Sequence, residues 1–123
     1  MTPGEEVLQY RAILEDALSF DPENPSFEAV VDGLDAGKFQ LWPGARSAAI
    51  TELVRHPSGL TCHIWLAAGD LTELSAMYPA CEAWAKSVGC TRMSLVGRSG
   101  WERTWMRSEG FRPRSITLDK SLW

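Results

Sequence analysis

Glu52 and His63 are the residues of this chain best suited to acid-base chemistry. Glu52 is the one acid inside an otherwise apolar stretch, Ser47 to Arg55, and His63 lies in the next such stretch, Leu60 to Ala67. A carboxylate buried in an apolar strand has its pKa raised and can act as a base near neutrality. His56-Pro57-Ser58-Gly59 separates the two stretches and reads as a turn, with proline second and glycine fourth. If Pro57-Ser58 is a two-residue connection, Glu52 falls directly opposite His63 and the two can pair. One residue of slip removes the pair. The plainer alternative is a half-exposed sheet face carrying two polar groups that satisfy one another. With two histidines and no third ligand at a recognised spacing, no metal site is expected.

A second group with chemical potential is Gly97-Arg98-Ser99-Gly100. A glycine-rich turn opening a helix can bind a phosphate or carboxylate on backbone N–H groups. The same four residues also read as a tight turn with an N-cap. Ser99 stands three residues before Glu102, the capping-box spacing, and Gly110-Phe111 followed by Pro113 reads as a stop. These signals predict one helix from the Ser99 cap to Gly110. Trp101 and Trp105, one helical turn apart, read as core or interface residues.

The remaining elements position these groups. Thr2-Pro3-Gly4-Glu5 starts a helix that ends near Phe20, and Phe27 to Gly37 carries the apolar spacing of a second. Phe39–Trp42, Ser47–Arg55 and Leu60–Ala67 read as an antiparallel meander. Asp70 caps a helix running to about Val88, with Glu73 at the capping-box position and Pro79 expected to kink or divide it. Arg92–Val96 is a strand parallel to Leu60–Ala67, because a crossover helix joins them, and Ser115–Leu118 is a last strand. The expectation is one α/β domain over residues 1–123, with a central mixed sheet and helices on both faces.

Charge is unevenly distributed along the chain. Residues 1–89 hold 5 Lys/Arg and 13 Asp/Glu, hence −8, whereas residues 90–123 hold 7 and 3, hence +4. Arg98, Arg103, Arg107, Arg112 and Arg114 form either an anion-binding face or a solvated face balancing the acidic half; nucleic acid is not an expected partner. Cys62, Cys81 and Cys90 have no CxxC spacing and cannot all pair. With no charged-then-apolar leader, and no apolar run near the roughly 18 residues of a membrane helix, the expected setting is cytoplasmic and membrane-free.

The element order, together with the stretch Ser94 to Phe111, resembles the GNAT N-acetyltransferase superfamily without its first strand. The resemblance covers roughly Ala29 to Leu122. GRSGWER, with Gly-Cys before the strand and Gly-Phe after the helix, is also similar to small GNAT-like proteins of phage and prophage genomes, which would place the chain in a host cytoplasm or with a virion. The resemblance implies acyl-CoA contacts at Ala67 and Gly69, where strand meets crossover helix, and at Gly97, Arg98, Ser99 and Gly100. It also implies Glu52 or His63 as base. Two positions depart from the family pattern. In its Arg/Gln-x-x-Gly-x-Gly/Ala turn, alignment on Gly69 puts Leu66 at the first position and Leu71 at the last, with Asp70 between them. Met106 stands where a tyrosine commonly serves as general acid. The resemblance therefore implies a degenerate acyl-CoA site. The expected role is a non-catalytic accessory protein that uses no cofactor and binds another protein or itself. The alternative is an active acetyl-CoA-dependent N-acetyltransferase.

Overall fold

The computed structural model describes residues 1–97, 101–115 and 117–122. α1 (Pro3–Glu6) begins at Thr2, whose hydroxyl accepts from Glu5 N–H while the Glu5 carboxylate accepts from Thr2 N–H, a complete capping box. The expected single helix to Phe20 is interrupted. Val7–Tyr10 tightens into a 3₁₀ turn before α2 (Arg11–Leu18) resumes. Tertiary anchors coincide with the break: Val7 is fully buried, and Tyr10 donates its hydroxyl to the Gly44 carbonyl at 2.7 Å. α3 (Phe27–Asp35) starts at a Ser26 cap and stops at Gly37, whose φ of 77° favours glycine.

The sheet comprises β1 (Phe39–Pro43), β2 (Ala48–His56), β3 (Gly59–Ala68) and β4 (Cys90–Leu95), in the order β1-β2-β3-β4. The first three are antiparallel and β4 runs parallel to β3, joined to it by α4 (Leu71–Ser87). Pro57-Ser58 is a two-residue connection, so His56 faces Gly59 and Glu52 faces His63, as the sequence predicts. A bulge follows. Thr51 pairs with Ile64 but Ile50 pairs with Leu66, leaving Trp65 as the extra residue in β3.

Adjacent strand residues point to opposite faces, and the two faces carry separate cores. Ile50 and Leu66 join Val7, Leu14, Val30 and Leu34 beneath α2 and α3. Burial of each such side chain contributes about 1.5–3 kcal/mol. On the other face Cys62, Cys81 and Ala85 pack under α4 with Trp42 and Trp84, and all three cysteines are free thiols. α4 continues through Pro79 as one helix, so the expected division does not occur.

The last third departs most from expectation. A 3₁₀ turn, Trp101–Arg103, precedes the four-residue α5 (Trp105–Ser108), with Thr104 as cap for Met106 N–H. The single helix from Ser99 is thus replaced by two short pieces, because the Thr104 hydroxyl offers the backbone a local partner mid-segment; Ser99 itself lies outside the described residues. The stop is as expected. Gly110 has a φ of 98°, its N–H donates to Arg107 O, and Phe111 N–H donates to Met106 O. Residues 111–115 and 117–122 form no strand, so the strand expected at Ser115–Leu118 is absent among the described residues.

Candidate functional site

β3 and β4 are parallel, and their carboxyl ends lie together, which is where ligands bind in open α/β sheets. The two strands part there. Their last pair is Ile64 with Leu95; β3 continues to Ala68 while the chain leaves β4 through exposed Val96 and Gly97. Ala67 and Gly69 on one side and Gly97 on the other are therefore brought to one end of the sheet. Arg98, Ser99 and Gly100 lie outside the described residues.

On the α4 face below this opening is an apolar recess of about 40 Å³, lined by Ile64, Ala67, Leu74, Tyr78, Trp101 and Trp105 among others. Tyr78 donates its hydroxyl to Glu82 at 2.8 Å, and its ring meets those of Trp105 and Phe111. Burial, together with the bond to Glu82, pushes the phenol far above its ordinary pKa. Trp105 Nε1 is buried with no hydrogen-bond acceptor among the described residues. Met106, at the position of the family's acid, is 3% exposed and belongs to the core.

The start of α4 forms the other wall of the opening. Asp70 Oδ1 accepts from Thr72 N–H at 2.8 Å and Glu73 N–H at 3.2 Å, while Oδ2 bridges Arg46 Nη2 at 3.2 Å. These partners, Glu73 N–H first and Thr72 N–H next, hold the Asp70 carboxyl below its ordinary pKa. The expected capping box is only half formed. Glu73 does not return to Asp70; it reaches the β1–β2 loop and accepts from Arg46 N–H at 2.8 Å and Ala45 N–H at 3.1 Å. Asp70 N–H donates instead to the buried hydroxyl of Ser47, also at 2.8 Å. Gly69 has a φ of 114°, and a Cβ there would lie 2.5 Å from Arg46 O and 2.6 Å from Ser47 Cα. The glycine is required by that close approach. Arg46 and Ser47 carried no sequence signal, because neither stands near Asp70 along the chain.

The candidate bases sit on the opposite face, under the α2 and α3 layer. Glu52 is half-buried rather than buried, and no hydrogen bond joins it to His63. His63 Nδ1 instead lies 2.8 Å from Ser94 Oγ on β4, a bond whose direction follows the ring tautomer. Desolvation lowers the His63 pKa, partly opposed by the nearby Glu52 charge. The register foreseen from the turn is therefore present without the expected dyad. Ser94, to which the sequence assigns no site role, takes the imidazole, because a parallel neighbour places it one strand away at the same height. Among the described residues no cluster of three or more His, Cys, Asp or Glu is placed to hold a metal ion, and no helix is long and apolar enough to cross a membrane.

Comparison with solved structures decides the fold. An aminoglycoside acetyltransferase, meta-AAC0020 from an uncultured soil metagenomic sample, solved with sisomicin, superposes with a TM-score of 0.73 at 10% identity, over 98% of this chain and 91% of its own. The chain has a GNAT acetyltransferase fold. A structure described as a probable acetyltransferase gives the same TM-score at 13% identity, covering 98% of this chain and 95% of that one. An acetyltransferase from Trypanosoma brucei gives 0.63 at 13% identity, with 88% and 89% covered. No protein-family model and no curated protein sequence matches the chain. At these identities the GNAT likeness carries architecture, and chemistry has to be argued from the site.

Proposed function

We propose that this is a GNAT-fold binding protein whose acyl-CoA site is degenerate, an accessory protein of the phage and prophage type that acts through its surface on another protein. One observation carries the reading: the helix start that would receive a pyrophosphate is filled by Asp70. A helix N-terminus attracts anions through outward N–H groups. Here those of Thr72 and Glu73 already donate to an ionised carboxylate that Arg46 also bridges. A second anion would meet a like charge and a satisfied set of donors. The residues present therefore do not fit the cofactor's pyrophosphate, and no catalytic step is derived through it.

The second reading, an active N-acetyltransferase, is favoured by His63. Its imidazole, kept neutral by burial, stands one residue before the point where β3 and β4 part. In that reading His63 or Glu52 is the base, and Arg98 with the nearby backbone replaces the missing turn.

Titration calorimetry with acetyl-CoA at low salt separates the two. The expected result is no measurable binding by the wild type and no rise in melting temperature, whereas a ligand at 100 times its Kd would add about 2.7 kcal/mol of stability. A micromolar Kd for the wild type overturns the binding-protein reading and promotes the enzyme. Asp70→Gly should improve cofactor binding even as it loosens the cap.

A further inference from the structure

Glu52, His63 and Ser94 stand side by side on three neighbouring strands. Glu52 on β2 is paired with His63 on β3, and His63 with Ser94 on β4, so the three side chains form one row on the α2 and α3 face of the sheet. All three are half-buried and keep a side open to solvent. The close contact in the row is His63 Nδ1 to Ser94 Oγ at 2.8 Å. A hydroxyl this near an imidazole becomes a nucleophile when the ring is neutral and can take its proton. Burial keeps His63 neutral, while the Glu52 charge on the neighbouring strand would favour the imidazolium formed during attack.

The surroundings suit an acyl group. Ser94 lies on the last strand, whose outer edge has no strand opposite it among the described residues, so a small molecule can approach from the side. Arg92, two residues before Ser94 and hence on the same face, is exposed and makes no ion pair among the described residues. A cation there can offset negative charge developing on a carbonyl oxygen. Trp65, two residues beyond His63, packs on this face too and supplies apolar surface.

We propose that Ser94 is the nucleophile of a Ser-His-Glu site that hydrolyses small carboxylic esters through an acyl-serine. Ser94 Oγ bonds to the ester carbonyl carbon as its proton passes to His63 Nδ1; the bond from that carbon to the alcohol oxygen then breaks, and the departing alkoxide takes the proton. Water, giving its own proton to the same nitrogen, attacks the acyl-serine. Ser94 Oγ leaves and recovers that proton, so the products are one acid and one alcohol. The proposal goes beyond the reading of the acyl-CoA site, because it uses neither the cofactor nor the start of α4.

A stopped-flow assay with 4-nitrophenyl acetate, in the absence of acetyl-CoA, tests it, with peptide mass mapping of the acid-quenched protein. The expected result is a burst of 4-nitrophenolate and an acetyl group on the peptide carrying Ser94. Ser94→Ala should abolish both, Ser94→Cys should retain the burst, and His63→Gln should slow it about 100-fold. Ser94→Ala removes only a half-buried hydroxyl, and tryptophan fluorescence checks that it stays folded. If His63→Gln unfolds, the two Ser94 variants decide alone. No burst from the wild type, acetylation only at other residues, or a burst undiminished in Ser94→Ala or in folded His63→Gln overturns the proposal.

Discussion

Replacing Gly69 by alanine tests the junction between the β1–β2 loop and α4. At a φ of 114° an L residue carries backbone strain of about 1–2 kcal/mol. The added Cβ would also lie 2.5 Å from Arg46 O, where ordinary contact begins at 3.4 Å, so the loop must retreat by about 0.9 Å. Both near atoms, Arg46 O and Ser47 Cα, are backbone, and no rotamer relieves the clash. Retreat stretches the bond from Asp70 N–H to Ser47 Oγ, whose loss costs about 1 kcal/mol. The total is about 2–3 kcal/mol, a sizeable part of the 5–15 kcal/mol typical of a domain. Gly89→Ala is the matched control: its φ is 94°, but its Cβ would meet nothing within 4 Å, leaving only the strain. Urea unfolding followed by tryptophan fluorescence, without any acyl-CoA, should place the Gly69→Ala midpoint well below that of Gly89→Ala. Equal midpoints would refute the clash and return Gly69 to the role of a cofactor-facing glycine.

Trp42 and Trp105, two of the three tryptophans that line the recess among the described residues, should respond differently to removal of the indole N–H. Trp42 Nε1 donates to buried Thr51 Oγ1 at 3.0 Å, so Trp42→Phe should cost about 1–2 kcal/mol more than Trp105→Phe, which removes an unpartnered donor; equal denaturation midpoints would count against this. Because folding lowers the His63 pKa, the unfolded chain binds protons first, so stability should be complete above about pH 6.5 and decline as pH falls toward the folded value. Chemical denaturation across that range should show the slope, and His63→Gln should flatten it. Glu52→Gln should leave the unfolding midpoint nearly unchanged, since the half-buried carboxylate makes no bond to His63; a large loss would reveal a dyad.

What was legible in the sequence was local. The apolar spacing from Phe27 and the stop at Gly37 mark α3 within a few residues, and Pro57-Ser58 sets the register that places Glu52 against His63. What was not legible depended on residues distant in the chain. Glu73 has the spacing of a capping box, but the β1–β2 loop brings Arg46 N–H to its carboxylate and Ser47 to Asp70 N–H, so a different network forms from the same letters. Tyr10 similarly breaks a helical pattern by reaching Gly44, 34 residues away. Between Ser99 and Gly110 two local solutions competed, and the Thr104 cap prevailed over a longer helix that periodicity favoured.

The order β1-β2-β3-β4 has a consequence for how the protein is made. Every strand lies beside the one synthesised before it, so a chain emerging from a ribosome meets each partner already in place and never waits for a later segment. The two hairpin pairings close short loops and form early, whereas β4 must await the whole of α4. During that interval β3 is itself an open edge, carrying Cys62, Ile64 and Trp65, and the nascent chain is then most exposed to association with its neighbours. Translation speed across residues 71–90 would therefore set how long this vulnerable template persists.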